Sequence, residues 1–424
     1  MRRRLVILAA ALLLMGAGED PSARVVLALA VILAAAVLGG DLAVRLGQPA
    51  VLGELVAGVL LGNIGLWGPH GFAFIATDPA VDILSRIGVL ILLFEVGLEA
   101  TVPQMLQVGW TSLFVAVLGV IAPFALGWLA GAWLLPHESA YVHAFLGATL
   151  CATSVGITAR VLKDLGRSQS AEARVILGAA VIDDVLGLVI LAVVTGIIAA
   201  ASAGTTVGAG AVGAIVAKSV GFLVGAIVLG RWISPRLLRW AARLRSRSVL
   251  LVVALAFCFL LSWLAVEIGL AAIVGAFAAG LVIEGSHEAP FTERGEHRLE
   301  ELVAPLGGFL VPVFFVLMGM RTDLRAFAQP GVLALAAALT AAAIIGKQVC
   351  ALGVLGKGID RLSVGIGMIP RGEVGLIFAN IGLGLTIGGE RIVSAAAYSA
   401  LVVMVIVTTM ITPPALAWSL KAKG

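Results

Sequence analysis

Long apolar runs separated by short polar stretches dominate this chain. A helix needs about 20 apolar residues to cross the hydrocarbon core of a bilayer, and about thirteen runs approach that length. Because every backbone N–H and C=O must be paired there, the runs predict helices, and the fold class is an all-α, polytopic membrane protein. The predicted spans are Arg24 to Leu46, Pro49 to Leu66, Val81 to Leu98, Val108 to Leu135, Ala140 to Leu165, Glu172 to Ala200, Val207 to Ile233, Val249 to Ile268, Gly269 to Glu284, Leu302 to Met320, Gly331 to Leu355, Leu362 to Ile387, and Ile392 to Leu420.

The composition agrees with a membrane protein. Hydrophobic residues make up 61% of the 424 residues and charged residues only 12%, against about 25% in a typical soluble protein. The formal net charge is +4, but the basic residues cluster at the ends of the runs, so we expect no nucleic-acid partner. Cys151, Cys258 and Cys350 lie inside apolar runs without metal-ligand spacing, so we predict no disulfide, zinc site or other cofactor.

The N-terminal residues and the loop charges predict processing and orientation. Residues 1–20 combine a basic start, an apolar stretch and small residues, which is typical of a secretory signal peptide; a short retained span is the alternative. Arginine and lysine concentrate in every second loop, and such loops are cytoplasmic. We therefore expect the cell inner membrane, with the N-terminus outside and the C-terminus inside.

Two adjacent carboxylates, Asp183 and Asp184, lie in the middle of a predicted span. One ionised carboxylate at that depth costs about 2.5–3.5 kcal/mol, so the pair predicts a functional site in an aqueous cavity. The two titrate as a coupled pair, and protons compete for their oxygens with a small hard cation such as Na⁺ or Li⁺. A structural role, in which the carboxyl groups hydrogen-bond neighbouring helices, is the simpler alternative.

A lysine at mid-span, Lys347, is the expected partner of one aspartate. An ammonium group without solvent needs a nearby anion. The pair is either a proton-carrying element, in which the lysine loses its proton when the aspartate binds sodium, or a permanent structural salt bridge.

Helix-breaking residues occur in two of the predicted spans. Broken backbone at membrane depth is tolerated only beside protein or a water-filled cavity, so two crossing breaks would frame a site. The residues expected to unwind the helices are Thr153, Ser154 and Gly156 in the fifth span, and Pro370, Gly372 and Gly375 in the twelfth.

Charged residues beside the second break are expected to compensate the exposed helix ends. We assign this role to Glu373, with Arg371 balancing it; the alternative makes Glu373 a ligand of the transported ion. The cation itself would be held by oxygens of Asp184, of a hydroxyl of Thr153 or Ser154, and of broken-helix carbonyls.

A short internal similarity places the two breaks in corresponding positions. The fifth span contains Ser154-Val155-Gly156-Ile157, and the twelfth contains Glu373-Val374-Gly375-Leu376. Spans seven apart point in opposite directions. This predicts two inverted-topology six-helix repeats joined by the seventh span, with two crossing discontinuous helices, as in secondary transporters.

Together these motifs resemble the cation/proton antiporter superfamily, and in particular the bacterial NapA-type Na⁺/H⁺ antiporters. The resemblance extends over nearly the whole chain after the signal-like start. The motifs are ATSVGITARVLKDLG from Ala152, RVILGAAVIDDVLGLVILA from Arg174, the single Lys347, and MIPRGEVGLI from Met368.

The resemblance implies electrogenic exchange of Na⁺ or Li⁺ for protons by elevator-like alternating access, in a homodimer embedded in membrane lipid. It implies that Asp184 is the principal cation and proton carboxylate and that Asp183 pairs with Lys347. It further implies that residues 21–424 form one membrane domain of interleaved core and dimerisation parts. The cytosolic regulatory domain of the potassium-efflux relatives is not expected.

The same fold could serve two other transport functions, a K⁺/H⁺ antiporter or a sodium-coupled organic-anion symporter. An intramembrane aspartyl protease would need its two aspartates to face each other, whereas adjacent helical residues point about 100° apart, so we do not expect an enzyme.

Overall fold

The computed structural model describes residues 21–64, 72–99, 109–165, 167, 170–203, 209–244, 248–283, 298–328, 330–355 and 358–421. The signal peptide predicted for residues 1–20 lies outside the described residues. Helix dominates the described part of the chain, as predicted. The α-helices are α1 Pro21–Arg45, α2 Ala50–Gly62, α3 Pro79–Glu99, α4 Trp110–Leu134, α5 Ala140–Thr149, α6 Val155–Asp164, α7 Ala171–Ser202, α8 Ala209–Ala241, α9 Val249–Glu267, α10 Ala272–Val282, α11 Leu299–Met320, α12 Pro330–Val349, α13 Arg361–Gly367, α14 Gly372–Gly384 and α15 Ala395–Lys421.

Within the described ranges, eight helices are long and apolar enough to cross a membrane, and three more apolar helices are shorter. This agrees with a multi-pass membrane protein. Short 3₁₀ turns also occur, at Ala73–Thr77, Leu324–Ala328 and Cys350–Gly353.

The twelfth predicted span ends earlier than expected, because a small hairpin follows α14. Thr386–Ile387 (β1) pairs antiparallel with Glu390–Arg391 (β2). Gly388 and Gly389 form the turn with φ of 60° and 88°. A two-residue hairpin turn of this kind needs positive φ, which glycine adopts without a steric clash.

The helices pack in two sets. The first, which we call the scaffold set, contains α1, α2, α3, α9, α10 and α11; the second, the site set, contains α4 to α7 and α12 to α15. Helix α8 packs against α7 on one side and α9 and α10 on the other, and thus links the sets. Polar contacts also join them: Tyr398 Oη donates to the Met318 carbonyl at 2.9 Å, and the Arg321 guanidinium donates to Asn380 Oδ1 at 3.0 Å. The Asp323 N–H also donates to Ser399 Oγ at 3.0 Å.

Helices α4 and α12 lie unusually close together in the centre of the site set. A Cβ atom built on Gly346 of α12 would lie 2.7 Å from the Cα of Pro123 of α4, closer than real contacts allow. Only glycine fits at this position. The contact brings the next residue, Lys347, beside α4.

We predict that Gly346→Ala lowers the free energy of unfolding by about 1–3 kcal/mol, because the added methyl group overlaps the α4 backbone. Alanine is the better helix former, so propensity alone predicts the opposite sign. The matched control is Gly331→Ala at the start of α12, where an added Cβ meets nothing within 4 Å. Thermal unfolding in detergent measures both, and equal melting temperatures for the two variants would contradict the close packing.

Candidate functional site

Two interrupted helices meet in the middle of the site set. The chain leaves the helical conformation between α5 and α6, over residues 150–154, and again between α13 and α14, over residues 368–371. The Ser154 N–H donates to the Pro370 carbonyl at 2.8 Å, and Thr158 Oγ1 donates to the Gly367 carbonyl at 2.6 Å. The two breaks therefore cross and satisfy part of each other's backbone.

The prediction located the breaks correctly but was wrong for two of the glycines. Gly156 lies in the first turn of α6 and Gly375 lies inside α14. Glycine costs only about 1 kcal/mol in a helix interior, so it need not break one. In the second break Pro370 acts instead, because it disfavours helical backbone at the preceding residue.

Gly372 begins α14 at the closest point of the crossing. Its φ is +28°, and a Cβ atom there would lie 2.5 Å from the Cβ and Oγ of Ser154. Both the backbone conformation and the lack of space require glycine. The Ser154 side chain thus packs directly against the first residue of α14.

Arg371 lies fully buried at the crossing and donates hydrogen bonds to carbonyl groups of two neighbouring segments. Its guanidinium donates to the carbonyls of Ala152 and Ala343, each at 3.2 Å. It also donates, at 3.5 Å, to the carbonyl of Met368, which follows α13. Carbonyls at a helix C-terminus carry partial negative charge, which a cation stabilises. Glu373, expected to compensate the helix ends, is the second residue of α14; its side chain lies outside the described part.

Asp183 and Lys347 form an ion pair with no solvent contact. Lys347 Nζ donates to Asp183 Oδ1 at 2.8 Å, and both side chains are 0% exposed. The Thr153 side chain also interacts with the Asp183 carboxylate, and its hydroxyl lies 3.3 Å from the Met368 carbonyl. The pair therefore joins α7 and α12 and touches the first break.

Asp184 follows Asp183 on α7 and is also buried, with 9% of its surface exposed. Adjacent helical residues point about 100° apart, so Asp184 faces a different direction from the ion pair. Lys347 bonds to Asp183, and the two aspartates therefore have different environments although they are neighbours in sequence.

Small residues that sequence reasoning missed make room for the ion pair. A Cβ atom on Gly119 of α4 would lie 3.4 Å from Lys347 Nζ and 3.7 Å from Asp183 Oδ1. A side chain larger than alanine would overlap the pair. The buried thiols of Cys151 and Cys350 flank the same region. In the sequence, the close approach at Gly119 is signalled only by the position of this glycine one helical turn before Pro123.

A cavity of about 340 Å³ reaches the crossing from the side of the turn between α1 and α2. Ser154 and Gly372 line it at the crossing, and Pro49 and Ala50 line it at the turn. It lies between α2 of the scaffold set and helices α6, α14 and α15 of the site set.

The side chains near the crossing offer oxygen atoms as possible ligands. No group of three or more His, Cys, Asp or Glu side chains is placed to hold a metal ion anywhere in the described ranges. The oxygens near the crossing are carboxylates, hydroxyls and carbonyls, which hard cations prefer. One buried carboxylate with a few neutral oxygens would bind such an ion reversibly.

Comparisons with known proteins agree with this geometry. Residues 27–422 match the family described as "Sodium/hydrogen exchanger, transmembrane". The chain is 39% identical to the high-affinity Na⁺/H⁺ antiporter NhaS3 of Synechocystis, over 92% of this chain and 89% of the relative. It is 35% identical to the Na⁺/H⁺-K⁺ antiporter GerN of Bacillus cereus, over 93% and 96%.

A solved structure shares the fold. The sodium proton antiporter MjNhaP1 of Methanocaldococcus jannaschii superposes with a TM-score of 0.69 at 16% sequence identity, covering 93% of this chain and 97% of that one. At this identity the match concerns the fold alone.

We predict that Asp183→Asn and Lys347→Met each lower the free energy of unfolding by about 3–5 kcal/mol, because each leaves one charge buried without its partner. The double variant should lose less than the sum of the two. Denaturation in detergent measures the free energy of unfolding of each single variant and of the double variant. Arg45→Gln, which removes the exposed pair with Asp41, is the control and should change stability by less than about 1 kcal/mol. Strict additivity in the double variant would show that the pair is not coupled.

Proposed function

Since the chain belongs to the sodium/hydrogen exchanger family, we propose that it is an antiporter that exports Na⁺ or Li⁺ across the cell inner membrane in exchange for protons, and so contributes to pH homeostasis. The observation that carries this proposal is the buried carboxylate pair of α7 beside two crossing helix interruptions. Of two relatives that match over nearly their whole length, one is named a Na⁺/H⁺ antiporter and the other a Na⁺/H⁺-K⁺ antiporter. The N-terminus is outside and the C-terminus inside, as the loop charges favour.

The exchange of sodium for protons follows because the two ions compete for the carboxylate of Asp184. The ionised carboxylate binds the cation together with hydroxyl oxygens of Thr153 and Ser154 and carbonyls of the break, while the protonated carboxyl group releases it. A site that holds either ion, and crosses only when loaded, couples the two fluxes. In this mechanism Glu373 and Arg371 compensate the charges of the helix ends.

Asp183 and Lys347 supply the second proton. Their ion pair is buried, and Lys347 Nζ lies 2.8 Å from Asp183 Oδ1 in this conformation. When sodium binding draws the Asp183 carboxylate away from Lys347, the ammonium loses its partner and releases a proton. Two protons then exchange for one sodium ion. Each cycle moves one net charge, for which 100 mV supplies about 2.3 kcal/mol, so the membrane voltage drives sodium out.

Alternating access is proposed as an elevator-like movement of the site set against the scaffold set. The cavity opens the crossing towards the α1–α2 turn, which is cytoplasmic in the proposed orientation. The contacts of Tyr398 with Met318 and of Arg321 with Asn380 join the sets. The movement breaks these contacts. We propose that about thirteen spans form an inverted repeat of two six-helix halves joined by the seventh span, so that each set draws helices from both halves. We also propose that the scaffold set contains the homodimer interface.

A K⁺/H⁺ antiporter is the second candidate, because the name of GerN includes potassium. A sodium-coupled organic-anion symporter has less support, since the cavity beside the crossing contains few polar groups. The chain's own cation preference distinguishes the candidates.

In proteoliposomes, an imposed Na⁺ or Li⁺ gradient is expected to drive a pH change and a current, and Asp184→Asn should reduce both to background. The control is Asp41→Asn, which removes an exposed carboxylate of α1 that is paired with Arg45. Robust sodium exchange by Asp184→Asn would overturn the role of that residue. A pH change without current would overturn electrogenicity, and a response to K⁺ alone would favour the second candidate.

Protons should act as competitive inhibitors of sodium. Below the pH at which the carboxylates ionise, each further unit of acidification is expected to raise the apparent KM for Na⁺ by up to about tenfold for each competing proton, with little change in maximal rate. At higher pH the KM becomes constant. Initial rates across a Na⁺ series at several pH values measure this. A KM that stays constant while the maximal rate falls on acidification would argue against shared oxygens.

A further inference from the structure

The cavity beside the crossing is closed on one side by α15, a helix that the proposed mechanism does not use. Val405 and Thr409 of α15 line the cavity, and they are four residues apart, so they share one helix face. Opposite them lie Ser154 and Gly372 at the crossing. An ion that reaches the crossing from the α1–α2 turn therefore passes this face of α15.

Only two of the described lining side chains carry a polar group. These are Ser154 at the crossing and Thr409 on α15; the others are aliphatic, proline or glycine. A cation moving through such a cavity keeps part of its water shell and gains from any oxygen on the wall. Among the described lining residues, these two hydroxyls are the side-chain oxygens that such a cation would meet.

The hydroxyl of Thr409 differs from those of the neighbouring threonines on the same helix. Thr408 donates to the carbonyl of Met404 and Thr412 to that of Thr408, each at 2.8 Å. Thr409 is 3% exposed, and its Oγ1 has no hydrogen-bond partner among the described residues. A buried polar group without a partner costs about 1–3 kcal/mol. This cost is recovered if water or an ion in the cavity supplies the missing partner.

We propose that Thr409 is a positioning residue for transport, whose hydroxyl oxygen binds the partly hydrated cation in the cavity and passes it to Ser154 at the crossing. The inference rests on the proposed exchange of sodium for protons. It adds a ligand from α15 to the oxygens of the interrupted helices. Because the hydroxyl is neutral, it favours occupancy by the cation without holding it as tightly as a carboxylate would.

Transport kinetics in proteoliposomes test the hydroxyl. Thr409→Val keeps the shape of the side chain and removes the oxygen; we expect the KM for Na⁺ to rise about three- to tenfold with the maximal rate changed by less than about twofold. Thr409→Ser restores the oxygen and should restore the KM. The control is Thr412→Val, because the Thr412 hydroxyl already donates a hydrogen bond to the carbonyl of Thr408 on the same helix. An unchanged KM in Thr409→Val, or the same rise in Thr412→Val, overturns the proposal.

Chemical labelling tests the cavity without relying on transport. In a background in which the three native cysteines are replaced by alanine, Thr409→Cys should react with a membrane-impermeant maleimide in inside-out vesicles, and Na⁺ should slow the reaction. Thr412→Cys should stay unlabelled. No labelling at 409 overturns the proposal even where the wild type exchanges sodium. Labelling that Na⁺ does not slow also overturns it, whereas absence of exchange by the wild type refutes the proposed function instead.

Discussion

A charged lysine and a charged aspartate, held together without any solvent, are the constraint on which the centre of this molecule depends. Each charge alone would be strongly unfavourable at that depth, and together they are tolerated only in good geometry. Lys347 and Asp183 achieve this at 2.8 Å. Helices α7 and α12 must therefore stay adjacent, and α4 must present a residue as small as Gly119 to the pair.

The need of buried polar groups for partners also explains why two helices can be interrupted here. Free carbonyl and N–H groups inside a membrane need partners, and each break supplies partners to the other, as in the bond from Ser154 to Pro370. Arg371 satisfies further carbonyls and adds a positive charge near the carboxylates. Positive and negative groups thus stay close to balance across the crossing. A change in the charge of one carboxylate would therefore alter the electrostatic energy of the others.

The charged groups at the crossing lie within one of the two helix sets. The charged groups and the interruptions all belong to the site set, while the cavity that reaches them lies against α2 of the scaffold set. The interface between the sets is mainly apolar side chains, with a few polar contacts such as that of Tyr398 with Met318. An apolar interface with few directional bonds allows one set to shift against the other more readily than an interlocked one.

The sequence by itself determined the membrane class, the helical fold, the two carboxylates, the lysine and the location of both breaks. These follow from local rules: apolar length, the cost of charge at depth, and residues that do not continue a helix. The residues alone left open which aspartate contacts Lys347, and the family resemblance implied Asp183; the tertiary structure shows that contact, which depends on the rotation of α7 relative to α12. It also decided that Gly156 and Gly375 are helical, that Gly119 and Gly346 permit close packing, and that Thr409 faces a cavity while Thr408 and Thr412 bond to their own helix. Such facts depend on contacts between residues far apart in the chain, and a single sequence carries no measure of those distances.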